Sequence, residues 1–214
     1  MRDSLFYSEH KFYYLSKRIL DFSIAACALL ILWPLFIILI VLVKLDSEGP
    51  AFYVHERIGL AGKKIGLYKF RSMTTKYKTF AEFYESLNKE QKEEWDANYK
   101  LEHDPRITKI GHFLRKTSLD ELPQLLNIIK GEMSFVGPRP LVDDELDKYG
   151  DQRDRYLSVL PGLTGYWAVH GRSATTYEER MKMELYYVDN CSMKMDVKIF
   201  LDTFSAVLRT DEAE

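Results

Sequence analysis

The sequence predicts a predominantly α-helical fold with one small β-hairpin, held to a membrane as a monotopic protein by an N-terminal re-entrant helix–break–helix and by interfacial amphipathic helices. Three observations predict it. The run Ile24 to Val43 carries no charge, has Pro34 near its middle and has cations on both flanks. Glycine and proline turns bracket the short extended segment Ala51-Phe52-Tyr53-Val54. Several later segments repeat apolar residues at helical spacing. A chain of 214 residues with 46% hydrophobic content, and no repeat, linker or low-complexity stretch, reads as a single domain over residues 1–214. A net charge of −2 lacks the basic signature of a nucleic-acid binder. Cys27 and Cys191 are too few for a disulfide framework or zinc site and fit a reducing, cytosolic setting.

Taken in order, Met1 to Ser16 mixes Phe and Tyr with Lys, Glu and His, which suits either the headgroup zone or a disordered terminus. As a helix, Ile24 to Val43 is long enough for about 30 Å of hydrocarbon. Lys11, Lys17 and Arg18 precede it, and Lys44, Arg57, Lys63, Lys64, Lys69 and Arg71 follow it. The positive-inside rule therefore places both flanks in the cytoplasm, which a single crossing does not satisfy. Pro34 removes a helical hydrogen bond and clashes with the preceding turn. Residues 17–45 are thus expected to enter and leave one leaflet, with 46–214 as the cytoplasmic part; a single crossing is the alternative.

Asp46 to Gly62 reads as strand and turn, and a hairpin is expected from Arg57 to Lys69. Gly59, Gly62 and Gly66 match no phosphate-binding glycine pattern and read as turn residues. Tyr77 to Lys100 reads as one amphipathic helix whose stripe Phe80, Phe83, Tyr84 and Leu87 meets either protein or membrane, with protein favoured because its other face mixes both charge signs. Leu141 to Ser158 is expected to be a charged helix. Met195 to Arg209 places Val197, Phe200, Leu201, Phe204, Val207 and Leu208 on one side, for docking on the core or for lying at the membrane interface.

The chemistry concentrates between Arg115 and Pro140, RKTSLDELPQLLNIIKGEMSFVGPRP. Asp120 and Glu121 stand together where a polar segment gives way to Leu122, Leu125, Leu126, Ile128 and Ile129, near a helix start that favours anions. Ser118 with Glu121 also fits a capping box, in which the acids only tie down a helix end. Pro123 weighs against that reading, since it falls just beyond the first turn of a helix capped at Ser118. Gly137-Pro138-Arg139-Pro140 is a rigid turn that holds a guanidinium as a phosphate-clamp candidate.

The SLDELPQ and VGPRP motifs, preceded by Asp104-Pro105-Arg106, resemble those of the monotopic phosphoglycosyl transferases, or bacterial sugar transferases, over about Lys17 to Arg209. The resemblance implies transfer of a sugar-1-phosphate from a UDP-sugar to undecaprenyl or another polyprenyl phosphate, at the cytoplasmic face of a bacterial inner membrane. Its re-entrant geometry agrees with the reading of Pro34, although Trp33 stands where a serine is common. Lys69-Phe70-Arg71-Ser72-Met73 matches the family's KFRSM motif, which implies Lys69 and Arg71 near the active site. Pro161 to Ser173 is similar to the family's PGITGLWQVSGR segment, which adds Arg172; Ala168 replaces a usual glutamine and Glu184 a usual aspartate.

By that resemblance Lys69, Arg115, Arg139 and Arg172 are expected at the substrate's phosphates. Asp120 would attack the phosphorus next to the sugar and expel UMP, leaving an acyl phosphate that the lipid phosphate then attacks. Mg²⁺ is the expected counterion, held by Asp120 and Glu121 with the substrate. Glu121 either ligates it or manages the acceptor's proton. The overall pattern is nearest the galactose-1-phosphate members, with glucose or an N-acetylated sugar as alternatives, and a homodimer is left open. Transfer of the sugar alone with release of UDP, and a non-catalytic membrane-anchored binding protein, are the competing readings.

Overall fold

A computed structural model describes residues 11–98, 101–171 and 175–208. Its first helix, α1 (Lys11–Asp46), is 36 residues long and stays helical through Pro34, where the sequence predicts a break between two helices. Both ends of α1 are seated on the same body. Near its start, Lys17 pairs with Asp196 at 2.6 Å, the N–H of Phe135 donates to Asp21, and Ala25 enters the main core. Near its end, Leu39 and Val43 pack against Phe70 and Leu114, and Asp46 accepts the N–H of Ile110 at 2.8 Å. Between these anchorages the helix leaves the body: Leu30 and Ile31 are 76% and 74% exposed, and Trp33 and Pro34 are exposed as well.

Strands β1 (Phe52–Ile58) and β2 (Lys64–Phe70) form the antiparallel hairpin, in register from Phe52 opposite Phe70 to Ile58 opposite Lys64. The hairpin thus begins before Arg57, because the extended segment at Ala51 to Val54 runs on into it without a turn. Gly59 and Gly62 do flank the tight turn, whereas Gly66 lies within β2. The expected single helix over 77–100 is instead two, α2 (Phe80–Ser86) and α3 (Lys89–Asn98). Asn88 separates them by accepting the N–H of Gln91 at 2.8 Å, which starts a new helix. The aromatic stripe largely meets protein: Phe83 and Leu87 are buried with Leu101, beside Tyr77, Tyr84 and Trp95. Arg106, held by Asp104, lies over Phe83 at 3.9 Å.

Helix α4 (Lys109–Lys116), a 3-10 segment (Leu119–Gln124) and α5 (Leu125–Lys130) follow. Arg18 of α1 donates to the carbonyls of Ile128 and Ile129 in the last turn of α5, the first of which also accepts the N–H of Gly131. Strand β3 (Ser134–Val136) pairs in parallel with β4 (Gly162–Thr164), a pairing too short to announce itself in hydrophobic periodicity. A Cβ on Gly162 would fall 2.1 Å from the Gly137 nitrogen, so the two glycine turns touch backbone to backbone. The expected helix over Leu141 to Ser158 is broken into α6 (Asp143–Asp147) and α7 (Arg153–Tyr156) by a 3-10 turn at Gly150, whose φ is +48°.

Helices α8 (Tyr166–His170), α9 (Tyr177–Asn190) and α10 (Met193–Leu208) complete the body. Helix α10 docks on the core through buried Ile199 and through Phe200 against Phe135, while Val197, Leu201 and Phe204 face outward. The expected docking on the core is therefore observed, and the outward apolar residues lie on the opposite face.

Helix α4 lies so close to the strand end that a Cβ on Gly111 would fall 2.0 Å from the Ser72 carbonyl oxygen. Gly111→Ala must push the two backbones apart, and a loss of about 1–3 kcal/mol is expected. Chemical denaturation measures it; unchanged stability would show that α4 sits farther away.

Candidate active site

The last residues of β2 and the 3-10 segment after α4 face each other across a groove of about 780 Å³. The chain turns into that segment at Ser118, which takes a left-handed conformation with φ of 56°. Asp120, 8% exposed, and the half-buried Glu121 then face Lys69 of β2. The Lys69 ammonium lies 2.7 Å from Glu121 Oε1 and 3.6 Å from Asp120 Oδ2. Arg115, in the last turn of α4, donates through Nε to Ser72 Oγ at 2.9 Å. Lys69, Arg71, Arg115, Asp120 and Glu121 all line the groove.

A smaller cavity of about 70 Å³ shares Lys69 and Glu121 with that groove and is lined by Arg139 as well. The Arg139 side chain is exposed and makes no hydrogen bond or ion pair with the described residues, whereas its backbone is held at both ends. Its N–H donates to Glu184 at 3.3 Å, and its carbonyl accepts the Tyr156 hydroxyl at 2.5 Å. Arg71 stands apart from the other cations. It is buried, and its guanidinium donates to the carbonyls of Val43, Ser47 and Glu48 at the end of α1, so its charge serves mainly to fasten the long apolar helix to β2. Arg172 lies outside the described residues.

A family model described as bacterial sugar transferase matches residues 12–210. The chain belongs to the bacterial sugar transferase family. The UDP-galactose-lipid carrier transferase of Erwinia amylovora is 45% identical over 197 residues, which are 92% of this chain and 41% of that protein. The undecaprenyl-phosphate galactose phosphotransferase of Salmonella typhimurium matches to the same extent. The exopolysaccharide production protein ExoY of Rhizobium meliloti is 46% identical over 193 residues, 90% of this chain and 85% of that protein. The chain thus spans about two fifths of the first two relatives and most of the third.

In this sugar transferase the acid pair is not a capping box. Ser118 makes no side-chain cap hydrogen bond, and the short Glu121 contact goes to Lys69. Burial raises the Asp120 carboxyl above its ordinary range; Lys69 opposes that, the Glu121 carboxylate reinforces it, and Arg115 opposes it. His55, also in the groove, is pushed down by burial and then by Arg57 beside it, which favours neutral imidazole. Sequence reasoning gave no site role to His55, Arg57 or Trp167; the hairpin puts His55 on the large groove, and Arg57 and Trp167 come together in the smaller cavity. No group of three or more ligating side chains occurs among the described residues, so an all-protein metal cage is not built. Two adjacent carboxylates at a groove do suit Mg²⁺ shared with substrate phosphates.

The raised Asp120 carboxyl has a consequence for stability. A group whose pKa is raised on folding adds stability at pH below its unfolded value and loses that contribution as pH rises through the folded value. Asp120→Asn removes the buried charge, so its melting temperature at pH 7 is expected to equal or exceed that of the wild type, with any gain shrinking as the pH is lowered. A loss of about 1 kcal/mol at pH 7 would restore the capping role.

Proposed function

We propose that this chain transfers a sugar-1-phosphate, with galactose-1-phosphate as first choice, from a UDP-sugar to undecaprenyl or another polyprenyl phosphate. The observation that carries the reading is the buried Asp120 beside Lys69 on the wall of the large groove, in a chain whose relatives are named for handling galactose and lipid carriers. Asp120 attacks the phosphorus bonded to the sugar; the bond to the UMP oxygen breaks, UMP leaves, and an acyl phosphate carries the sugar. A lipid phosphate oxygen then attacks the same phosphorus, which frees the carboxylate and yields a polyprenyl diphosphate sugar. Lys69, Arg115 and Arg139 offset the charge of the diphosphate, and Arg172 is assigned to the same task by family pattern. Arg71 acts by positioning Lys69 against α1. Mg²⁺, held by Asp120 and Glu121, would neutralise the leaving phosphate; Glu121 is otherwise placed to take the acceptor's proton.

We assign α1 to one leaflet of the bacterial inner membrane, bent at Pro34, with the body on the cytoplasmic face. Both ends of α1 rest on one body while its apolar middle stands clear, an arrangement that a crossing to the opposite side would pull apart. The outward Val197, Leu201 and Phe204 of α10 fit the same interface. Initiation of a surface polysaccharide is the biological setting in keeping with the named relatives.

Incubation with UDP-sugar and polyprenyl phosphate should release UMP. Release of UDP would instead indicate transfer of the sugar alone, and release of neither a binding protein. Galactose inert in a UDP-sugar panel would reject the first-choice donor. Asp120→Asn should fold yet lose at least about 1,000-fold in turnover. Wild-type protein given donor alone should gain a phosphosugar on the Asp120 peptide in step with UMP; near-normal turnover by the variant would end the covalent mechanism.

Topology has its own test, in a chain with Cys27 and Cys191 replaced by serine. Cysteines at Asp3 and Glu48 should both be labelled from the cytoplasmic side only. Labelling from opposite sides would establish a single crossing.

A further inference from the structure

Glu184, in α9, is 1% exposed and lines the smaller cavity, whose wall shares Lys69 and Glu121 with the large groove. Its Oε1 accepts the Arg139 N–H at 3.3 Å, while its Oε2 is buried without a partner among the described residues. A buried acceptor with no donor is a standing penalty that a bound ligand can relieve. Burial also lifts this carboxyl to about 7, so the site tolerates the group at an energetic cost. The same cavity carries the Arg57 and Arg139 side chains and Trp167. Acceptor, guanidinium donors and an indole together suit a ring bearing hydroxyls next to a phosphate.

We propose that Glu184 Oε2 accepts a hydroxyl of the nucleotide-sugar donor and so helps decide which donor is used. This rests on the reading above that the donor is a UDP-sugar. With the diphosphate beside Lys69, a ring attached to it lies next to the smaller cavity, which that lysine also lines. The hydroxyl belongs to the hexose or to the ribose, and the bond to the carboxyl is the same in either case. Glu184 then joins two tasks in one side chain, since its other oxygen holds the turn that carries Arg139.

The test uses the full chain in lipid nanodiscs, with UMP release from UDP-galactose, from its singly deoxygenated hexose analogues and from analogues built on 2′- or 3′-deoxyuridine. Glu184→Gln keeps an oxygen for the Arg139 N–H but places an NH₂ donor where Oε2 stood. It should lower kcat/KM for the complete donor by about 10- to 100-fold. One analogue should be slow with the wild type by a similar factor, yet lose less than about 3-fold more on the substitution, because the bond is already missing. A deoxyhexose in that role identifies the sugar as the partner; a deoxyuridine identifies the ribose. An equal fall for every donor would show that Glu184 only supports the Arg139 turn, and no fall would remove it from the site; either overturns the proposal. Should Glu184→Gln fail to unfold cooperatively, Glu184→Asp, which withdraws the carboxylate by one methylene, is run on the same panel and judged by the same pattern. Wild-type protein that releases no UMP from any donor would instead sink the underlying functional reading, and this proposal with it.

Discussion

The Lys69 ammonium stands 2.7 Å from Glu121 and 3.6 Å from Asp120, and the rest of the site is arranged around keeping that cation between the two acids. Two adjacent carboxylates in a partly buried wall repel one another, and burial itself favours protonation of Asp120. One lysine on the neighbouring strand counters both effects. It can do so only because the 3-10 segment turns at a left-handed Ser118 and lies against β2, not running on as a regular helix with its side chains splayed. Arg115 and the Arg139 side chain, which makes no hydrogen bond or ion pair among the described residues, add further positive charge around the acids.

The same strand also ties the site to the long apolar helix α1. Three carbonyls at the end of α1 are bound by Arg71, two residues from Lys69, while Asp46 binds the start of α4, which carries Arg115. At the other end, Lys17 and Tyr13 meet Asp196, which also accepts the Tyr187 hydroxyl at 2.6 Å. Polar anchors at both ends and bare apolar surface between them fix both ends of the helix to the body that carries the groove. Movement of α1 would be felt directly at β2 and at α4.

The β3–β4 pairing performs the corresponding service on the opposite side of the site. It brings the turn of Arg139 against the turn at Gly162, with glycines where any side chain would collide. Glu184 and Tyr156 then clasp the Arg139 backbone from α9 and α7. A backbone held this firmly fixes where the Arg139 side chain starts, so only the side chain itself remains to be ordered by an anion.

The sequence by itself determined the helical class, the hairpin, the apolar segment with its proline, and the segment that bears the acid pair. These are local properties, written in charge spacing, turn residues and hydrophobic periodicity, and the family motifs ride on them. It misjudged boundaries where a single residue interrupts a pattern, as Asn88 does by capping a second helix and Gly150 does by its positive φ. Only the tertiary structure decided that Arg71, inside a family motif, spends its charge on helix carbonyls, and that Glu184 is buried with one oxygen unanswered among the described residues. Whether a cation is free or committed, and whether a carboxyl is wet or dry, depends on groups tens of residues away in the chain, and no local pattern records which of them come into contact.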